Sequence, residues 1–295
     1  MKAFTPALWL VMAVALGAHG VARAEPGRSV DARKPAKELF GRMVSPATMK
    51  AAAIGFYTHG CLAGGIALPI TGNAWQVMRP SRNRNWGHPS LVQFIQRLAE
   101  KAPVVGWRGL LVGDMAQARG GPMLTGHASH QVGLDADIWL MPMPSRELTR
   151  EERERISAVN VVARNRLDVD PKIWTPQHGA VIRIAAEDAA TERIFVNPAI
   201  KKALCREAGE HRAWLRKVRP WHGHDYHFHV RMSCPIGSPD CKPQDVPPDD
   251  DGCGKELEYW FSDEVLHPKP TKKPVKPPLT LADLPAACRD VLLAP

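Results

Sequence analysis

Six cysteines, Cys61, Cys205, Cys234, Cys241, Cys253 and Cys288, constrain this 295-residue chain more than any other feature. Their weight depends on what precedes them. The chain starts "MKAFTPALWLVMAVALGAHGVARAEPGR", with Lys2, a mostly apolar run from Ala7 to Ala18, and small residues at Ala22 and Ala24. This reads as a secretory leader cleaved after Ala24, too short to be a membrane anchor. In an oxidising compartment an even number of cysteines implies three disulfides. Six cysteines allow about 15 pairings, and spacing does not choose among them. No C-x-x-C is present, which disfavours a zinc-thiolate site. Cys253 and Cys288 would tie the C-terminal part back to the body.

The leader (1–24) and a polar, basic lead-in (25–45) precede a globular region expected over 46–241. A Pro/Lys-rich tail follows at 242–295, where many of the 27 prolines lie. The formal net charge is +9, of which Lys2 and Arg23 of the leader supply two. In an exported protein such charge suits a polyanionic wall better than nucleic acid.

Within the globular region, apolar Leu91, Val92, Phe94, Ile95 and Leu98 predict an amphipathic helix over 88–102 with Ser90 as N-cap. Residues 108–116 and 134–142 read as buried strands, and 149–165 and 180–189 as helices. Residues 193–205 read as a strand broken at Pro198 and continued as a helix, and 225–234 as a strand. Helices and strands interleave with no βαβ repeat and no glycine-rich phosphate loop, so the expected class is α+β.

Two stretches carry the chemistry. "GHASHQVGLDADIW" (126–139) holds His130 and Asp137, with Gly126 and Gly133 allowing tight turns beside the histidines. On this stretch alone, a solvated turn capped by a carboxylate serves equally well. "RPWHGHDYHFHVRMSC" (219–234) holds His222, His224, His227 and His229. On a strand His227 and His229 share a face, about 6.6 Å apart. That suits one direct ligand and one group acting on water. Together, His130, Asp137 and His229 form a two-imidazole, one-carboxylate set that suits zinc with an open fourth position, and His227 is placed as a base. The expected reaction is hydrolysis of a carbonyl by water. G-x-S-x-G and H-E-x-x-H are both absent.

These residues resemble the penicillin-insensitive murein endopeptidases, a family of LAS metallopeptidases. The resemblance rests on "TGHASHQVGLDADI", "HDYHFHVR", "GHPSLVQFIQRL", "GDM", "RIFVNPAIK", "WLRKVRPW" and "DGCG", and runs from about 53 to 288. It implies an α+β zinc domain with a small central antiparallel sheet flanked by helices. It also implies a periplasmic location and hydrolysis of D-alanyl–meso-diaminopimelyl cross-links in peptidoglycan. His130, Asp137 and His229 match the zinc ligands, His227 the catalytic histidine, and His224 a residue that orients water or stabilises the oxyanion. His127 matches a further metal-binding position. Auxiliary metal positions near Asp168 find no matching histidine and are not carried over. The implied pairing is Cys61–Cys288, Cys205–Cys253 and Cys234–Cys241. The expected partner is peptidoglycan; the sequence leaves open whether the chain also forms a homodimer. The competing functions are a D,D-carboxypeptidase or dipeptidase on the same zinc site, and a non-catalytic wall-binding module.

Overall fold

Strands Asp135–Trp139 and His227–Met232 lie side by side at the centre of a seven-stranded sheet. In chain order the elements that matter are β1 (Ala52–Phe56), β2 (His59–Ala63), β3 (Thr71–Gly72), β4 (Trp75–Val77) and α1 (Pro89–Lys101). Then follow β5 (Leu110–Val112), β6 (Asp135–Trp139), α2 (Arg150–Arg155), α3 (Pro176–Glu187) and β7 (Thr191–Val196). The last are α4 (Pro198–Glu207), β8 (Val218–Pro220), β9 (His227–Met232) and α5 (Ala287–Leu293). This computed structural model describes residue 1, residues 30–270 and residues 277–295. The leader assigned to 1–24, apart from residue 1, the start of the lead-in and part of the Pro/Lys stretch therefore lie outside the described residues.

The sheet runs β8-β7-β9-β6-β5-β4-β3. Its centre, β7-β9-β6-β5, is antiparallel, which agrees with the α+β expectation. The joins β8–β7 and β4–β5 are parallel, so the whole sheet is mixed. Side chains alternate across a strand. Ala136, Ile138, Phe228 and Val230 therefore point together into the main core, each fully buried. Leu91, Phe94 and Ile95 of α1 and Val181 and Ile182 of α3 complete that core. The β1–β2 hairpin forms a separate two-stranded sheet.

Three local expectations need correction. Helix α1 is capped by His88, not Ser90: the His88 ring accepts from the Ser90 backbone N–H, and Pro89 takes the first helical position. The helix expected over 149–165 ends at Arg155. Beyond it Val161 donates its N–H to Asp225 O, and Val162 bridges Val169, so the β-branched residues bond elsewhere. The helix expected over 180–189 begins earlier, at Pro176, behind a Thr175–His178 capping box.

The disulfides are Cys61–Cys288, Cys205–Cys253 and Cys234–Cys241, the pairing the resemblance implies. The first fastens α5 to β2 across 227 residues of sequence. Cys288, Val291 and Leu292 of α5 are buried. The Arg119 guanidinium donates to Val291 O, Leu292 O and Ala294 O. Much of the C-terminal segment is thus folded onto the body.

Candidate metal centre

The other face of β6 and β9 carries the charges. Residues 135, 137, 227, 229 and 231 all point there, and the register sets His229 directly opposite Asp137. The loop before β6 brings in His127 and His130. Gln131 pins that loop to the β1–β2 turn: its Oε1 accepts from Gly60 N–H, and its Nε2 donates to Thr58 O and Ala128 O. His130 sits at φ +66°, the left-handed region, and its N–H donates to Asp135 Oδ2 at 2.9 Å. Gly133 (φ +71°) lets the chain re-enter the sheet, since a Cβ there would stand 2.9 Å from the His88 backbone nitrogen.

Asp137 is the hub. Its Oδ1 lies 3.5 Å from His130 Nε2, 3.2 Å from His229 Nδ1 and 3.5 Å from His227 Nε2. Its Oδ2 lies 3.5 Å from His127 Nε2. His127, His130 and Asp137 each offer a ligand atom within 4.8 Å of the others. His224 stands beside the group, its ring 4.9 Å from that of His227 and 5.9 Å from that of His229. It too has a left-handed backbone, φ +52°. All six residues singled out in the sequence therefore converge.

The cluster fits a divalent ion. Both ring nitrogens of the fully buried His130, along with Asp137 Oδ1 and His227 Nδ1, are buried without a hydrogen-bond partner among the described residues. Orphaned groups of this kind are costly unless something completes them. Two N/O ligands on a tetrahedral zinc, each bonded at about 2.0–2.1 Å, stand roughly 3.3 Å apart. The spacings around Oδ1 bracket that value.

Distance alone does not separate His227 from His229; the surroundings do. His229 Nε2 donates to Asp135 Oδ1 at 3.0 Å, and Asp135 is fully buried. Arg231 Nε donates to the same oxygen at 2.8 Å. This carboxylate fixes a hydrogen on Nε2 and leaves Nδ1 facing Asp137 Oδ1, the usual bracing of a metal-bound histidine. His227 has no such brace.

The electrostatics agree. Burial would raise the Asp135 carboxyl, but Arg231 and His229 hold it far below the usual range. Burial would likewise raise Asp137, but His227, His130 and His229 hold it well below. Burial works against a charged His229, yet Asp135 and Asp137 outweigh it and raise its pKa. Burial lowers His227, partly offset by Asp137. His224 is pushed down to about 3 by burial, with His227 and His229 adding to the effect. A neutral His227 next to an anionic Asp137 is the result.

Two clefts meet at His127. One of about 530 Å³ is lined by Phe195, Trp221, His224, His229 and Arg231. The other, about 270 Å³, is lined by Arg82, Asp114, Asp137, Tyr226 and His227. The ligand cluster is therefore approached from two sides.

Comparison with known proteins gives the family. The family model described as penicillin-insensitive murein endopeptidase matches residues 53–293. The chain belongs to that family. A penicillin-insensitive murein endopeptidase of Haemophilus influenzae is 46% identical over 248 residues, 83% of this chain and 84% of that protein. One from Yersinia enterocolitica is 46% identical over 240 residues, 81% and 85% of the two chains. One from Escherichia coli is 44% identical over 252 residues, 85% and 89%.

Two carboxylates of this family member's site were not singled out from sequence. Asp135 could have been, since two residues before Asp137 on a strand means the same face. Asp114 lies in the "GDM" stretch of the resemblance but was given no role there. Its Oδ2 accepts from Arg84 at 2.8 Å and Arg82 at 3.1 Å and lies 3.1 Å from His127 Nε2. Burial would raise it, but His127 and Arg84 bring it down to about 2. Asp168 is engaged elsewhere, paired with Arg206 at 2.9 Å. His222 packs its ring 4.8 Å from Trp260.

Proposed function

We propose that this chain is an exported, zinc-dependent murein endopeptidase that hydrolyses D-alanyl–meso-diaminopimelyl cross-links in the periplasm. The observation that carries the reading is the Asp137-centred cluster, with orphaned buried ligand atoms at metal-ligand spacing. His130, Asp137 and His229 would hold the ion, with His127 as a further metal-binding position. Zinc, when bound, supplies Lewis-acid polarisation of a carbonyl and makes water more acidic. His227, kept neutral by burial, accepts the water proton and passes it to the leaving amine. His224 orients water or meets developing negative charge on the carbonyl oxygen. Asp135 keeps His229 in the binding tautomer. No serine forms an acyl-enzyme, so a β-lactam finds nothing to acylate.

Clefts on both sides of the cluster favour cutting within a cross-link over trimming a chain end. The family membership and the relatives' names support the same substrate class. The secretory leader and three disulfides support export. The test is digestion of purified sacculi with and without a chelator, followed by muropeptide separation. The expected result is conversion of cross-linked dimers to monomers, abolished by the chelator and restored by zinc. Release of terminal D-alanine alone would assign a carboxypeptidase instead. Binding without cleavage would assign a wall-binding module.

A further inference from the structure

The sheet face that carries His229 continues as an arginine row. Arg231 on β9 lies directly opposite Arg193 on β7, and Arg219 on β8 lies opposite Phe195, two residues along from Arg193. All three arginines line the larger cleft beside the metal centre. Like charges directly opposite on a sheet are destabilising unless something compensates.

Two of the three are compensated from within the protein. Arg231 is neutralised by Asp135 and also donates to Gln244 Oε1. Arg219 pairs with Glu256 at 2.7 Å. Arg193 is different. Its Nη2 donates to the backbone carbonyl of Asp245, its Nε is buried without a partner, and among the described residues no carboxylate lies within 4.0 Å of its guanidinium. The neighbouring Glu192 carboxylate is taken by the Tyr57 hydroxyl. Burial lowers the Arg193 pKa, Glu192 and Asp245 oppose, and Arg219 and Arg231 lower it further. Among the described residues this half-buried cation has no carboxylate in ion-pair contact, and it stands next to an aromatic wall that includes Phe56 and Phe195.

We infer that Arg193 is a specificity-determining residue that pairs with a carboxylate of the substrate. The inference rests on the proposed murein reading and deepens it. In a D-alanyl–meso-diaminopimelyl cross-link, the carbon bearing the scissile nitrogen also bears a free carboxylate. Arg193 is the diagonal neighbour of His229 across β7 and β9, roughly 7–8 Å between Cα atoms, within reach of a long side chain. A planar guanidinium matches a carboxylate through two parallel hydrogen bonds. Such a pair would hold the leaving-group side of the cross-link in the larger cleft, with the D-alanyl side directed to the smaller one.

The test uses two cross-linked muropeptide dimers that differ only at that carboxylate, free acid in one and carboxamide in the other. Wild-type protein is expected to favour the acid by about ten-fold or more in kcat/KM, expressed mainly in KM. Arg193→Met should bring the ratio to near one by losing activity on the acid. Arg193→Lys, which keeps the charge but not the fork, should retain a ratio between the two. Calorimetric binding of the two cleaved monomers gives the same comparison without turnover. A wild-type protein that cuts both dimers equally, or an Arg193→Met protein that keeps the full preference, overturns the role of Arg193 and leaves the murein reading standing. A wild-type protein that cuts neither dimer overturns the murein reading and this inference with it.

Discussion

Strands β6 and β9 have two faces built by one register, and the faces have opposite tasks. On one, Ala136, Ile138, Phe228 and Val230 are fully buried among other apolar side chains. On the other, Asp135, Asp137, His227, His229 and Arg231 are almost as deeply buried, yet every one is polar or charged. The apolar face gains from leaving water. The polar face is held only because its groups satisfy one another; where they do not, Asp137 Oδ1 stands 3.5 Å from Nε2 of the adjoining His130, a spacing close to that of two ligands on one zinc ion. Stability and chemistry are thus separated by a single peptide unit along each strand.

Substitutions on each face should separate the two tasks. The largest effect is expected for Asp137→Ala, which removes the hub: metal content by elemental analysis and cleavage of dimers should both be lost, with the fold retained by circular dichroism. His227→Ala should lower kcat by about 10²–10⁴-fold while keeping most of the metal, because it removes a proton acceptor and not a braced ligand. Near-normal turnover of purified dimers by that variant would remove His227 from the mechanism. On the apolar face, Phe228→Ala should cost about 3–5 kcal/mol in denaturant unfolding, while the folded fraction keeps its metal. Asp135→Asn should weaken metal affinity by about 10–100-fold in competition with a chelator, since it loosens the brace on His229. The smallest effect is Ile138→Val, about 0.5–1.5 kcal/mol in stability with no change in metal content. If Phe228→Ala lost metal as readily as Asp135→Asn, the two faces would not be separable.

The apolar face was legible in the sequence, because alternation along 134–142 and 225–234 is a local signal. The candidate ligand residues were legible because histidine and aspartate are rare at such density, and the family resemblance chose among them. The bracing was much less legible. Asp135 looks like one more polar residue until β9 brings His229 and Arg231 to it across 94 and 96 residues of sequence. Asp114 meets His127, and Arg84 meets Asp114, only through the tertiary course of the chain. The overlong helix at 149–165 failed for the same reason: Val161 and Val162 bond to distant segments, which helical periodicity cannot reveal. Arg193 was hidden in a short strand whose neighbours on both sides are themselves arginine-bearing.

The proposed function requires the charged face of β6 and β9 to hold zinc on which hydrolysis depends. Anomalous diffraction at the zinc edge, on crystals of protein shown to cleave cross-linked dimers, tests it most directly. The expected result is a strong peak bounded by His130, Asp137 and the Nδ1 atom of His229. Active protein with no anomalous scatterer between those three side chains would contradict it.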